Sequence, residues 1–288
     1  MPAQPISNGV VGVAVIIALT AVTPSATVRS RVLSFDLENS ADIVVPVLID
    51  GRGPFRFLLD TGSSRTVVSS RLAATLGLVP VASTRLLTPS GRAKHPIAVL
   101  RKLEIGAAPP TNVLAMITPD ANLPTRDGVD GIVGQDVLGA VTYTIDYVNR
   151  QIVWHLAQPT DVTGQRLLLR RSVGGLLVTL PQPSTGDLQL IPDSGAEGWV
   201  LFTGATQRLP VGRPLGGASI RTLSGARPAV GVLIDQLSIG ALILRDQPAI
   251  IVERDSDHEL MGDGLFPLHL FARVTFNPRA QQLIVEGR

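Results

Sequence analysis

The stretch FLLDTGSSRTVV, residues 57–68, decides how the rest of the chain is read. Apolar residues run directly into Asp60; Thr61, Gly62, Ser63 and Ser64 follow, and then a second apolar run begins. A carboxylate at the end of a buried strand loses hydration and must be compensated by hydrogen bonds or a partner. Alone, such an aspartate fits an Asx-type turn as well as a reacting group. A second stretch of the same pattern tips the balance. LQLIPDSGAEGWVLF, residues 188–202, places Asp193 133 positions after Asp60.

The same offset recurs along the chain. Residues 42–47 (DIVVPV) fall on 175–180 (GLLVTL), Val67-Val68 on Val200-Leu201, and 130–134 (DGIVG) on 263–267 (DGLFP). At an offset of 134, LEIG at 103–106 falls on LSIG at 237–240, and Ser90-Gly91 on Ser224-Gly225. Landmarks in one order at spacings of 133 or 134 mark a duplicated unit. The expected organisation is a hydrophobic N-terminal segment at 1–27, lobe one at 28–155, a polar linker at 156–169 and lobe two at 170–288. Each lobe reads as mostly β, with short β-branched runs broken by Gly, Pro, Asn and Asp. GRGPF at 51–55 and YVNRQ at 147–151 read as hairpin turns. Helix is confined to one stretch after Ser69 or Ser70, ending at Gly77, and a turn after Gly134. Pro267 suits the first position of a short helix in lobe two.

Composition narrows the function classes. Hydrophobic residues are 45% of the chain and charged residues 17%, which supports a sizeable core and argues against wholesale disorder. Net charge is +2 and the longest basic cluster is Arg170-Arg171, so no phosphate-binding stripe is present and nucleic acid is not an expected partner. The chain has no cysteine, which excludes disulfides, thiol catalysis and Cys-ligated zinc. Its four histidines are scattered without metal-ligand spacing, so neither a metal nor a cofactor is expected. Residues 10–22 form an uncharged apolar run followed by small residues, with the first charged side chain at Arg29. Three readings compete for it: a cleaved export signal, an uncleaved anchor, or a lead with no export role. Export to the periplasm or medium is favoured, with no membrane span beyond an N-terminal anchor.

Pseudo-two-fold packing would bring Asp60 and Asp193 together. Two carboxylates a few ångströms apart cannot both ionise, so they share a proton, one serving as base and the other as acid towards the same water. Gly62 and Gly195 allow a tight turn and present N–H groups to the carboxylates. Thr61 and Ser194 carry hydroxyls that could tie the two loops together. Asp130 and Asp263 recur in both copies and read as structural turn residues. Trp154 and Trp199 read as packing, Glu197 as a solvated loop residue, and His269 as packing.

These loops resemble those of the retropepsin-like aspartic peptidase family, in the bacterial form that carries two copies on one chain. The likeness covers nearly all of residues 40–288 and rests on LLDTGS, IPDSGA and the later element Ile132-Val133-Gly134. It implies two closed-barrel or sandwich lobes with few short helices, and an aspartic endopeptidase acting on peptide or protein substrates. It assigns Asp60 and Asp193 as the dyad and Thr61 and Ser194 as the grip, with Gly62, Ser63, Gly195 and Ala196 in support. It places flap tips near Ser90-Gly91 and Ser224-Gly225. With both aspartates on one polypeptide, a monomer is expected. The contrasting function is a catalytically silent peptide- or envelope-binding module of the same fold. Lobe two departs from the family pattern at Pro192, which cannot donate a ladder bond and so implies an edge or irregular strand end, and at Pro267, where glycine is expected. Ser63 in lobe one stands opposite Ala196 in lobe two. A Ser63 hydroxyl donating to Asp60 would make Asp60 the more readily ionised partner and leave the shared proton on Asp193.

Overall fold

The computed structural model describes residues 32–38, 41–123, 128–157, 162–172, 174–182, 186–209 and 211–288, with Met1 and Pro159 as single residues. The apolar lead assigned to export lies outside these apart from Met1. Among the described residues no helix is long and apolar enough to cross a membrane.

Lobe one grows from the hairpin of Asp42–Ile49 and Arg52–Leu59. The turn falls at Asp50-Gly51, both with positive φ (52° and 72°), which is the two-residue geometry that matches strand twist. It therefore begins one residue earlier than the sequence suggested, because aspartate tolerates the left-handed region. The end of Arg52–Leu59 is flanked on both sides: Leu58 pairs antiparallel with Val44, and Phe57, Leu58 and Leu59 pair parallel with Gly131, Ile132 and Val133. Phe57, Leu58 and Leu59 are accordingly all buried, and the continuous apolar run before Asp60 is that of a doubly covered strand.

From Gly131–Val133 the pairing continues through Val67–Ser69, Thr111–Thr118 and Gly91–Glu104. Leu48 and Ile49 then pair with Glu104 and Leu103, so the circuit of strands closes on itself. Lobe two has the same strand order through Gly175–Leu180, Leu188–Asp193, Gly264–Pro267, Trp199–Phe202, Leu242–Val252, Gly225–Ile239 and Val211–Thr222. The molecule is mostly β and two-lobed.

A sheet shared by both lobes joins them. Its order is Val32–Ser34, Gln151–His155, Thr142–Asp146, Arg273–Asn277, Gln282–Glu286 and Gln165–Ser172. At its centre Thr144 faces Thr275, with their hydroxyls 2.7 Å apart, and Tyr143 stacks on Phe276 at 5.0 Å. The polar linker expected over 156–169 is therefore too long. A strand begins at Gln165, because Leu167 and Leu169 alternate into the core while Arg166 and Leu168 face out, and it pairs with both Gln282–Glu286 and Gly175–Leu180.

The helix Ser70–Leu76 starts where Ser69 accepts the Leu72 N–H at 3.0 Å and stops at left-handed Gly77. A second short helix covers Gln135–Leu138. Pro267 ends a strand and sits just before a 3-10 turn at Leu268–Leu270, rather than at a first helical position.

Candidate active site

Asp60 and Asp193 both stand at the C-terminal end of a buried strand, and their loops are bonded to each other in a reciprocal pattern. Thr61 Oγ1 donates to the Pro192 carbonyl at 2.8 Å and accepts the Ser194 N–H at 3.0 Å. Ser194 Oγ donates to the Leu59 carbonyl at 2.7 Å and accepts the Thr61 N–H at 3.1 Å. Both hydroxyl residues are completely buried, so each bond is made away from competing water. This is the cross-link expected of Thr61 and Ser194.

Pro192 lies at a strand end that is open on one side, as its missing N–H implied. It pairs with Phe266 on one side, while the antiparallel neighbour Gly175–Leu180 pairs only as far as Leu190. The missing N–H thus removes no ladder bond, and the free carbonyl takes the Thr61 hydroxyl. At the second departure, a Cβ on Gly134 would stand 2.5 Å from the Arg65 carbonyl oxygen, so lobe one requires glycine there. In lobe two Pro267 occupies that place, and the counterpart of Arg65 is Gly198.

The two carboxyl groups interact and have unequal surroundings. Burial raises Asp60, opposed by the N–H groups of Ser63 and Gly62, which donate to its Oδ1 at 3.0 and 2.8 Å. Burial raises Asp193 well above the usual carboxylate range, and the neighbouring Asp60 charge adds to it, against the Gly195 N–H at 2.7 Å. Both carboxyls are thus pushed upward, Asp193 the further of the two. The cause expected from sequence, a Ser63 hydroxyl donating to Asp60, is absent. The Ser63 hydroxyl donates to the Arg65 carbonyl at 2.8 Å, and it is the Ser63 backbone amide that reaches Asp60.

Gly62 is there for close approach: a Cβ on it would lie 2.6 Å from the Asp193 carboxyl carbon. At Gly195 the nearest atom would be 3.4 Å away, an ordinary contact. Further bonds hold the lobe-one loop: Gln135 Nε2 donates to the Thr61 carbonyl at 3.0 Å, and Asp136 accepts the Thr66 N–H and hydroxyl at 3.0 and 2.8 Å. Where lobe one has Asp136, lobe two has His269, whose pKa is lowered by burial, against a bond to the Ala196 backbone that raises it.

A cavity of about 720 Å³ opens above the two carboxyls, and Gly62, Ser63, Gly195 and Ala196 line it. Ser90-Gly91 and Ser224-Gly225 fall at hairpin tips, between Ala82–Thr88 and Gly91–Glu104 in lobe one and between Val211–Thr222 and Gly225–Ile239 in lobe two. Gly91 (φ 130°) and Gly225 (φ 116°) adopt backbone angles that side chains disfavour. Thr88, Pro89 and Thr222 roof the cavity.

Asp42 is a site residue that sequence reasoning passed over. It is buried, lines the cavity, and its charge contributes to raising Asp60. The available signal was the asymmetry of the two copies, which put Gly175 opposite it. Trp154 and Trp199 are buried, Trp199 against Phe266 at 5.2 Å, and exposed Glu197 stands at the cavity wall.

Asp130 and Asp263 are structural. Asp130 accepts the Arg56 N–H at 3.0 Å and its own N–H reaches the Arg56 carbonyl at 2.7 Å. Asp263 does the same with Gln189, at 2.8 and 2.6 Å. Among the described residues no cluster of His, Asp and Glu could hold a metal ion.

Residues 45–137 match the sequence model of the aspartyl protease family. Among solved structures the chain is similar to basic 7S globulin from soybean, with 10% identity and a TM-score of 0.47 over 88% of this chain and 94% of that one. None of the curated proteins matches the sequence.

Proposed function

We propose that this chain, whose residues 45–137 are of the aspartyl protease family, is an aspartic endopeptidase working between Asp60 and Asp193. One observation carries the reading: the reciprocal Thr61–Ser194 bonds hold buried Asp193 and half-buried Asp60 together at the floor of a roofed cavity. Nothing about a turn aspartate requires a second one pressed against it at the cost of a raised pKa.

Asp60 is the base and Asp193 the acid. Asp60 takes a proton from a water whose oxygen attacks the peptide carbonyl carbon, while Asp193 gives its proton to the carbonyl oxygen. The resulting tetrahedral diol collapses as Asp60 returns a proton to the amide nitrogen and Asp193 recovers one from the diol. The C–N bond breaks and the dyad ends with one proton, as it began. The N–H groups of Gly62, Ser63 and Gly195 keep both carboxyls oriented through the cycle. The hairpin tips would hold an extended peptide by strand-like hydrogen bonds and exclude water.

The matching strand order of the lobes and the equal spacing of their landmarks support duplication of one unit. The apolar run at 10–22 supports export, and both aspartates on one polypeptide support a monomer.

The test is incubation of the protein with a diverse peptide library from pH 3 to 7, alongside Asp60→Asn and Asp193→Asn. Cleavage is expected in the wild type and lost in both variants. Cleavage that survives either substitution would refute the dyad, and peptide binding without turnover would point to the silent binding module.

A further inference from the structure

The roof of the cavity is fastened in two ways, and the second is one-sided. The hairpin tips meet directly: Thr222 Oγ1 donates to Thr88 Oγ1 at 2.8 Å, Ser90 Oγ lies 3.2 Å from Thr88 Oγ1, and Ser90 also touches the Thr222 hydroxyl. Beyond these hydroxyls stands His258, in the 3-10 segment Ser256–Met261 of lobe two. Its side chain is fully buried, its ring stacks on Phe202 at 4.3 Å, and its Nε2 is 3.1 Å from the carbonyl of Pro89 at the tip of lobe one's hairpin.

The other ring nitrogen fixes which way this bond runs. Nδ1 accepts the Asp255 N–H at 3.2 Å, so the neutral ring carries its proton on Nε2 and donates it to Pro89. A charged ring would turn Nδ1–H towards Asp255 Oδ1, 3.1 Å away, and would still donate from Nε2. Asp255 in turn accepts Arg227 Nη1 at 2.7 Å, and Arg227 lies on the lobe-two hairpin strand Gly225–Ile239. One short segment therefore reaches both hairpins. The corresponding lobe-one stretch, residues 119–130, contains no histidine.

We infer that His258 is a latch by which lobe two holds the tip of lobe one's hairpin over the cavity, so that lifting this hairpin requires release of the Pro89 carbonyl. The dyad makes no use of this imidazole, and its aromatic neighbour and Asp255 hold the ring in one orientation. Its consequence, control of substrate admission, rests on the peptidase reading; the latch itself does not.

Two amide substitutions separate the ring nitrogens. Glutamine at 258 carries its N–H₂ group where Nε2 stands and can still reach Pro89, whereas the shorter asparagine can serve the Asp255 N–H but not Pro89. Hydrogen exchange followed by mass spectrometry on the full chain reads the hairpin tip at 86–92, with the central strands 142–146 and 273–277 as reference. His258→Asn is expected to speed exchange at 86–92 about three- to tenfold, the effect of one net hydrogen bond, with the central strands unchanged. His258→Gln is expected to stay near wild type. The inference is overturned if the two variants behave alike at 86–92, or if exchange rises equally in the central strands. Repeating the measurement in Asp60→Asn keeps the result independent of whether the protein cleaves peptides.

Discussion

At the scale of single residues, the two glycines after the aspartates have the same place in the motif but unequal surroundings. A Cβ at Gly62 would drive into the Asp193 carboxyl, whereas one at Gly195 meets only ordinary contacts. Gly62→Ala is therefore expected to cut kcat/KM by roughly a hundredfold or more, as displacement of a reacting group by about an ångström does, with Gly195→Ala much closer to wild type. Steady-state kinetics on the two variants checks this. Charge on Asp42 helps raise Asp60. Asp42→Asn should move the acidic limb of the pH–rate profile to lower pH, while Ser63→Ala should leave that limb in place because its hydroxyl bonds Arg65 instead. Asp193 supplies a stability effect of definite sign. Its folded pKa is raised, so its contribution is fully present below the unfolded value near 3.8 and is lost as pH rises through the folded one. Asp193→Asn should consequently raise Tm at pH 7, with the gain shrinking towards pH 4, as thermal melts across that range would show.

At the scale of elements, the paired loops are one unit. Ser194→Ala would strip the Leu59 carbonyl and the Thr61 N–H of a buried partner at once. Unsatisfied buried groups cost about 1–3 kcal/mol each, so chemical denaturation should show a loss of at least that size, larger than for a surface serine. Activity should fall further, since the same bonds set the carboxyl geometry. Much of this was legible: the two loops, their spacing, the hydroxyls that join them and the hairpin tips all lie in short local motifs. The strand beginning at Gln165 was not, because a polar, turn-rich lead masks an alternation of only two buried leucines, Leu167 and Leu169. Pro192 was legible as an open strand end, but not which neighbour stops short of it. Whether a missing N–H matters depends on where the neighbouring strand stops, and that is set by pairing with Gly175–Leu180.

At the scale of the whole molecule, the lobes are continuous through the shared sheet, with Tyr143 on Phe276 and Thr144 against Thr275 at its centre. A joint made of one continuous sheet couples the lobes, and they should unfold together. The chain has two tryptophans, Trp154 in the central sheet and Trp199 in lobe two, so single-tryptophan variants offer a separate probe of each. Coincident denaturation midpoints are expected, and midpoints that separate would show the lobes to be independent.

The sequence by itself determined that there are two equivalent aspartate loops in a mostly β chain, because apolar runs, turn glycines and a repeated spacing are local properties that survive without coordinates. Only the tertiary structure decided that the Ser63 hydroxyl bonds Arg65 rather than Asp60, that Asp42 lines the cavity, and that His258 reaches the Pro89 carbonyl. Those facts depend on burial, on the direction of individual hydrogen bonds and on contacts between residues far apart in the chain, such as Pro89 and His258, which no local pattern encodes.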